Sequence, residues 1–229
     1  MFNVSHLASG YGQSEVIHDI NFSVAKQEIV AVMGRNGMGK TTLFKTLMGI
    51  LPQRGGDIDI DGQSLSSLES YQRVAQGIAY VPQGRMIFPG MTVLENIQTG
   101  LPAAARGKVP EELYALFPVL YDMKGRKGGN LSGGQQQQLA IARALATNPK
   151  VLLLDEPTEG IQPSIIKDIA KSLKEIRRVR DLTIIVSEQV LSFTLDIADR
   201  FFVIDKGRFV YENTRANVDA PTISRYLSV

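Results

Sequence analysis

Apolar positions recur at a two-residue spacing, or in short unbroken runs, at Phe2 to Leu7, Ile17 to Val24 and Ile29 to Met33, and these read as strands. The last run feeds a glycine-rich stretch and then a helix from Lys40. Ile58 to Ile60 ends at the turn signal Asp61-Gly62, so an antiparallel β layer is expected beside the main sheet. Ile78 to Val81 is a strand leading into Pro82-Gln83-Gly84. From Thr92 to about Ala146 the spacing turns helical, with Val93, Leu94 and Ile97, then Leu113, Leu116 and Phe117, then Leu139, Ile141 and Leu145. Beyond it come a strand from Val151 to Asp155, a helix from Pro163 to about Val179, a strand from Thr183 to Ser187, a helix through Ala198 and a strand from Phe201 to Asp205. Alternating strand and helix predict an α/β fold with a mostly parallel sheet covered on both faces.

Composition bounds the picture without changing it. The chain has 229 residues, 44% hydrophobic and 21% charged, and no Gly-, Ser- or Pro-rich linker marks a domain cut, so one composite domain over residues 1–229 is expected. The formal charge is +2 and the basic residues are scattered. The densest run, Arg177, Arg178 and Arg180, reads as a solvated helix face, and no nucleic acid is expected as a partner. With no cysteine there is no disulfide framework, thiolate chemistry or Cys-based metal site, which suits a reducing cytoplasm. No signal-peptide profile opens the chain, and its apolar runs are far too short to span a bilayer. No internal repeat is visible, which argues against two tandem copies of one domain.

Three motifs carry chemistry. Gly34-Arg35-Asn36-Gly37-Met38-Gly39-Lys40-Thr41, followed by Thr42, matches the P-loop, in which backbone N–H groups and a helix N-terminus cradle phosphates, the lysine reaches the β- and γ-phosphates and the threonine hydroxyl meets Mg²⁺. Gly34, Gly37 and Gly39 are expected to supply positive φ and close backbone approach. Asp155 ends an apolar strand, where a carboxylate can help hold Mg²⁺; Glu156 beside it points elsewhere because strand side chains alternate. Between these lies Leu131-Ser132-Gly133-Gly134-Gln135, in which Ser132 is placed to cap a helix starting near Gly134 and create a second anion-binding helix end. The plainer reading of this third motif is a well-capped helix start, and both readings can hold together.

The P-loop, Leu131 to Gln135 and Asp155-Glu156, in this order, make the chain resemble an ABC transporter ATP-binding subunit over essentially its whole length. The resemblance implies a P-loop ABC ATPase core with an antiparallel β subdomain and a helical subdomain at about residues 85–148, inserted between the two nucleotide motifs. It implies ATP and Mg²⁺ as ligands and Glu156 as the base that polarises the attacking water. It also implies Gln83 as the residue that reaches Mg²⁺ and that water and relays ATP state, and Tyr11 as the adenine-stacking aromatic. Two such subunits would pack head to tail, each ATP lying between one P-loop and the partner's Ser132, Gly133, Gly134 and Gln135. The second ATPase would be a different chain first, a second copy as the alternative. Transmembrane permease subunits and, indirectly, a solute-binding protein would complete the machine at the cytoplasmic face of the inner membrane.

Two departures narrow the subfamily. Both histidines, His6 and His18, lie in the N-terminal β layer, and Gln189 takes the place of the family's switch histidine; an amide can hydrogen-bond phosphate or water but cannot accept a proton near neutral pH. Thr158-Glu159-Gly160-Ile161-Gln162 replaces the Ser-Ala-Leu-Asp of many relatives. Residues 156–169, the Gln135 to Gln138 run and Leu116 to Leu120 resemble the urea importer's second ATPase, with the branched-chain amino acid importer ATPases nearest to it. Import of urea is therefore expected, with import of branched-chain amino acids or another small amide or amino acid as the alternative. A soluble non-transport ABC ATPase is the alternative from another class, opposed by the absence of a coiled-coil insertion or second cassette. A P-loop GTPase or small-molecule kinase is opposed by Leu131 to Gln135. A docking surface for a membrane partner is expected at Met86-Ile87-Phe88 and along Leu113 to Met123.

Overall fold

The computed structural model describes residues 1–105 and 107–228. The first part of the chain forms β1 (Phe2–Tyr11), β2 (Ser14–Val24), β3 (Ile29–Met33), α1 (Lys40–Leu47), β4 (Gln53–Ile60), β5 (Gln63–Ser64), α2 (Ser70–Ala75) and β6 (Ile78–Val81). Four helices follow: α3 (Val93–Gln98), α4 (Glu111–Leu116), α5 (Pro118–Asp122) and α6 (Gly133–Ala146). The rest comprises β7 (Val151–Asp155), α7 (Pro163–Val179), β8 (Thr183–Glu188), α8 (Leu191–Ile197), β9 (Arg200–Asp205), β10 (Arg208–Thr214) and α9 (Ala220–Leu227).

Two sheets result. One is four-stranded and antiparallel, in the order β2-β1-β4-β5; the other is six-stranded, β10-β9-β3-β8-β7-β6, parallel except for the β9–β10 hairpin. The patterning divides the core accordingly. Ile29, Ala31 and Met33 of β3 point into a cluster with Leu139 and Ile141 of α6, Leu173 of α7 and Phe193 of α8. Val30 and Val32, one residue out of step, point into a second cluster with Leu43, Phe44 and Leu47 of α1 and Phe2, Leu7 and Ile20 of the antiparallel sheet. β7 repeats the division, with Leu152 and Leu154 in the first cluster and Val151 and Leu153 in the second. Strands buried on both faces favour apolar side chains, which is why β3, Val151 to Leu154 of β7 and Ile184 to Val186 of β8 read as unbroken runs; the buried polar residues Asp155, Thr183, Ser187 and Glu188 are each held by hydrogen bonds.

The register sets the site. β3 and β8 pair in parallel with Met33 opposite Glu188, and β8 and β7 with Ser187 opposite Asp155, so the loops that follow these strands leave from one edge of the sheet. Ligands of open parallel sheets bind at such carboxyl ends.

Some expectations shift. α2, β10 and α9 were not predicted; β10 is an edge strand whose Lys206-Gly207 turn, with both residues at positive φ, is a hairpin signal. The arginine run is not a bare solvated face: Arg177 pairs with Asp199, and Arg180 pairs with Glu112 and donates to the Leu145 carbonyl at 2.7 Å. Leu113, Phe117 and Leu120 are buried in the core beneath α6 and are not available for docking.

Candidate functional site

The loop between β3 and α1 owes its shape to its glycines. Gly37 and Gly39 hold φ of 80° and 108°, conformations that other residues adopt only under strain. Gly34 differs from expectation: its φ is not positive, but a Cβ there would stand 2.5 Å from the Ile204 carbonyl oxygen, so its role is close approach to β9. The loop turns its backbone into a cavity of about 330 Å³ lined by Asn36, Gly37, Gly39, Lys40, Thr41, Thr42, Gln83 and Glu156. Gly34 and Arg35 contribute carbonyls that accept hydrogen bonds from Lys40 Nζ at 2.8 and 3.1 Å. Met38 packs against the second core cluster.

Lys40 is buried, and its Nζ lies 3.0 Å from Glu156 Oε1 in a largely enclosed ion pair. Removing either charge would strand the other in a poorly solvated place, which is costly. Glu156 has left the β7 strand with φ of 48°, its N–H donating to the Ser187 carbonyl and hydroxyl. Two amides complete its surroundings. Gln83 Nε2 donates to Glu156 Oε2 at 3.2 Å and to Glu159 at 3.1 Å; Gln189 Nε2 donates to Glu156 Oε1 at 3.1 Å and to Asn36 at 2.6 Å. Gln83, Gln189 and Lys40, widely separated in sequence, thus converge on one carboxylate.

Asp155 lies on the other face of the strand end and is almost fully buried. It accepts from the Ser187 hydroxyl at 2.5 Å and the Tyr80 hydroxyl at 3.1 Å. Burial pushes its carboxyl above the ordinary value, while hydrogen bonding from Ser187, Thr41 and Tyr80 pulls it back. Burial, then the charge of Asp155, raises Tyr80, which therefore stays protonated and donating. The two neighbouring carboxylates meet different partners, but not by the expected strand alternation: β7 ends at Asp155, and Glu156 turns away from it at positive φ.

The other predicted groups stand apart from this cluster. Ser132 caps α6, which starts at Gly133, one residue earlier than expected. The Ser132 Oγ accepts from Gln135 N–H at 3.4 Å, while Gln135 Oε1 accepts from Ser132 N–H at 2.9 Å, a reciprocal capping box. Ser132, Gly133, Gly134 and Gln135 line a second cavity of about 320 Å³ with Gly160 and Gln162, and none of the P-loop residues borders it. Tyr11, at the end of β1, is exposed and lies outside the residues lining the P-loop cavity.

Several residues at the site were not singled out from sequence. Ser187 and Glu188 abruptly end the apolar run Ile184-Ile185-Val186, the same signal that drew attention to Asp155-Glu156. Arg85 follows Gly84 in a run of three residues at positive φ, and its Nη2 donates to the Glu159 carbonyl at 3.0 Å while the guanidinium packs beside Gly133. No local pattern marked it.

Known proteins place this arrangement. The ABC transporter family model matches residues 17–159. The chain is 37% identical to the high-affinity branched-chain amino acid transport ATP-binding protein BraG of Pseudomonas aeruginosa, over 94% of each chain. It is 35% identical to the lipopolysaccharide export system ATP-binding protein LptB of Haemophilus influenzae, over 95% of this chain and 92% of that one. Among solved structures, the ADP conformation of an ATP-binding cassette of an ABC transporter superposes with a TM-score of 0.83 at 26% identity, covering 100% of this chain and 99% of the other. Motifs, fold and relatives agree, and the chain belongs to the ABC transporter family as an ATP-binding, ATP-hydrolysing subunit.

Proposed function

We propose that this subunit energises import of a small amide or amino acid, urea on the sequence resemblance stated above, and that hydrolysis runs through Glu156. The observation that carries the catalytic reading is the convergence of Lys40, Gln83 and Gln189 on the Glu156 carboxylate at the rim of the P-loop cavity. Backbone N–H groups from Asn36 to Thr42 and the Lys40 ammonium hold the phosphates. Glu156 takes a proton from the attacking water as its oxygen bonds to the γ-phosphorus and the bond to the bridging oxygen breaks. Gln83 and Gln189 hold the carboxylate and orient the water. Tyr11 receives the adenine.

The residues present fit Mg²⁺. The described residues contain no cluster of three or more His, Cys, Asp or Glu, so no all-protein cage exists, but Thr41, Asp155 and Gln83 offer the sparse oxygen set that this ion takes beside phosphates and water. When bound, it neutralises phosphate charge; Asp155, steadied by Ser187 and Tyr80, is the group that would hold it.

The separation of Ser132 to Gln135 from the P-loop supports a head-to-tail pair in which each signature serves the partner's ATP. One solved relative is a dimeric bacterial ABC transporter cassette. The partner is a second ATPase subunit, a different chain first and a copy of this one second. Residues 1–229 act as one nucleotide-binding domain with its helical part at about residues 85–148.

As an ATP-binding subunit similar to those of membrane transporters, this chain sits peripherally at the cytoplasmic face of the inner membrane, beside membrane subunits that form the path; among its described residues no helix is long and apolar enough to cross a membrane. A groove of about 490 Å³ between α1, α2 and the segment after Gln83 suits a membrane subunit's apolar helix, with Ile50, Tyr71, Val74, Met86 and Phe88 exposed along it. It retains Met86 and Phe88 of the expected surface and replaces Leu113 to Met123 with α2.

Branched-chain amino acid import is the second reading, favoured by BraG and by the 34% identical probable branched-chain amino acid transport ATP-binding protein LivF of Archaeoglobus fulgidus. Uptake of labelled urea and labelled leucine into cells lacking this chain decides it. Loss of urea uptake alone supports urea, loss of leucine uptake alone supports the second reading, and retention of both overturns import of either.

A further inference from the structure

We propose that Glu188 is a positioning residue for hydrolysis, a buried carboxylate that fastens the loop carrying Glu156 to the turn carrying Gln189. Glu188 ends β8, is 2% exposed, and accepts four hydrogen bonds. Its Oε1 takes the Thr158 N–H at 2.9 Å and the Thr158 hydroxyl at 2.5 Å; its Oε2 takes the N–H groups of Gln189 at 2.8 Å and Val190 at 3.1 Å.

Thr158 is itself buried and lies two residues past Glu156. Gln189 is the residue next to Glu188 and reaches Glu156 Oε1 with its side chain. The carboxylate therefore sits behind both catalytic loops and touches the backbone of each, while the Glu156 N–H is pinned to Ser187 on the same strand. Both loops diverge from β7 and β8 at this point, so nothing in the sheet ladder fixes them further out. Only an acceptor on both oxygens satisfies four donors; an amide at this position would turn an NH₂ toward at least one of them. Charge-assisted bonds in a dry place are also stronger and shorter than neutral ones. The consequence is geometric: the approach of the Gln189 amide to Glu156 is set from behind by Glu188 and Thr158, rather than by their mutual contact alone.

The inference rests on Glu156 acting as the base, and the test separates the two. In the full-length chain purified with its membrane subunits, single-turnover ATP hydrolysis and ATP affinity are measured for Glu188→Gln, Thr158→Val, Thr158→Ser and, as the reference, Glu156→Gln. Glu188→Gln is expected to lower turnover about 10–100-fold, the cost of a small displacement of a catalytic group, with ATP affinity retained. Thr158→Val should fall in the same direction, Thr158→Ser should keep wild-type turnover, and the Glu188→Gln/Thr158→Val double variant should lose less than the product of the two. Wild-type turnover in Glu188→Gln and Thr158→Val, with Glu156→Gln impaired, overturns the inference alone. A fall in ATP affinity and thermal midpoint with turnover intact overturns it too, since that is what a purely structural bond network would give. Wild-type turnover in Glu156→Gln overturns the catalytic reading beneath it. If Glu188→Gln does not fold, the two Thr158 variants decide.

Discussion

Around the P-loop, polar side chains from four strand ends and the segments that follow them share hydrogen bonds: Lys40 with the Gly34 and Arg35 carbonyls and Glu156, Gln83 and Gln189 with Glu156, Ser187 and Tyr80 with Asp155. Around Ser132 to Gln135 the bonding is local, a capping box closed within four residues, and the first N–H groups of α6 have no acceptor inside the helix. One region is thus wired as the proposed reaction site, and the other, on a neighbouring but separate cavity, offers a capped helix start with room in front of it, the proposed anion site. On the proposed reading, a chain carrying one of each on separate cavities is half of two sites, which gives a physical reason for working in pairs.

The sharpest way to break this contrast is at the wired end. Lys40→Ala is expected to abolish tight ATP binding, because it removes the phosphate's cation and strands Glu156, whereas Glu156→Gln should bind ATP normally and lose about 10²–10⁴ in turnover. Nucleotide titration beside phosphate release measures both; equal loss of binding in the two variants would defeat the division of labour. At the other end, Ser132→Ala should leave ATP affinity at the chain's own P-loop unchanged. It should lower turnover about tenfold through the partner's ATP and cost about 1 kcal/mol of stability from the lost cap. Weaker ATP binding by the isolated chain carrying that change would merge the two ends into one site.

Gln189 tests a finer point. Gln189→Ala is expected to reduce turnover roughly tenfold, the low end of the weight of one hydrogen bond to a charged group such as the Glu156 carboxylate, and to reduce affinity less; Gln189→His should be tolerated. Single-turnover rates at the wild-type level in Gln189→Ala would show the contact to be incidental. The smallest effect on hydrolysis belongs to Phe88→Glu, in the groove below Gln83: basal ATPase should be unchanged while uptake falls to background. Unchanged uptake would remove the groove from the coupling path.

Much of this contrast is written locally. The P-loop and the capping box are short, and the backbone of a few consecutive residues does the work, so spacing and residue type suffice to find Gly37, Gly39, Lys40, Ser132 and Asp155. Strands β3, β6 and β7 have the bounds expected from their apolar runs, because their mostly buried positions demand apolar side chains and loop residues follow at once. Edge strand β10 and the six-residue α2, half-solvated and short, left no such imprint.

By itself, then, the sequence determined the fold class from the alternation of its elements, the family from its motifs, and the glycine loop and the capping box, whose shapes follow from local backbone chemistry. Only the tertiary structure decided that Gln189 touches Glu156, that Arg85 reaches Glu159 and packs beside Gly133, that Gly34 is needed for contact with Ile204, and that Glu188 joins two loops. Apart from the bond between Glu188 and its neighbour Gln189, each of these contacts spans tens of residues and depends on which strands lie side by side and in what register. That is fixed by burying two cores on opposite faces of one sheet, a property of the whole chain that no window of it contains.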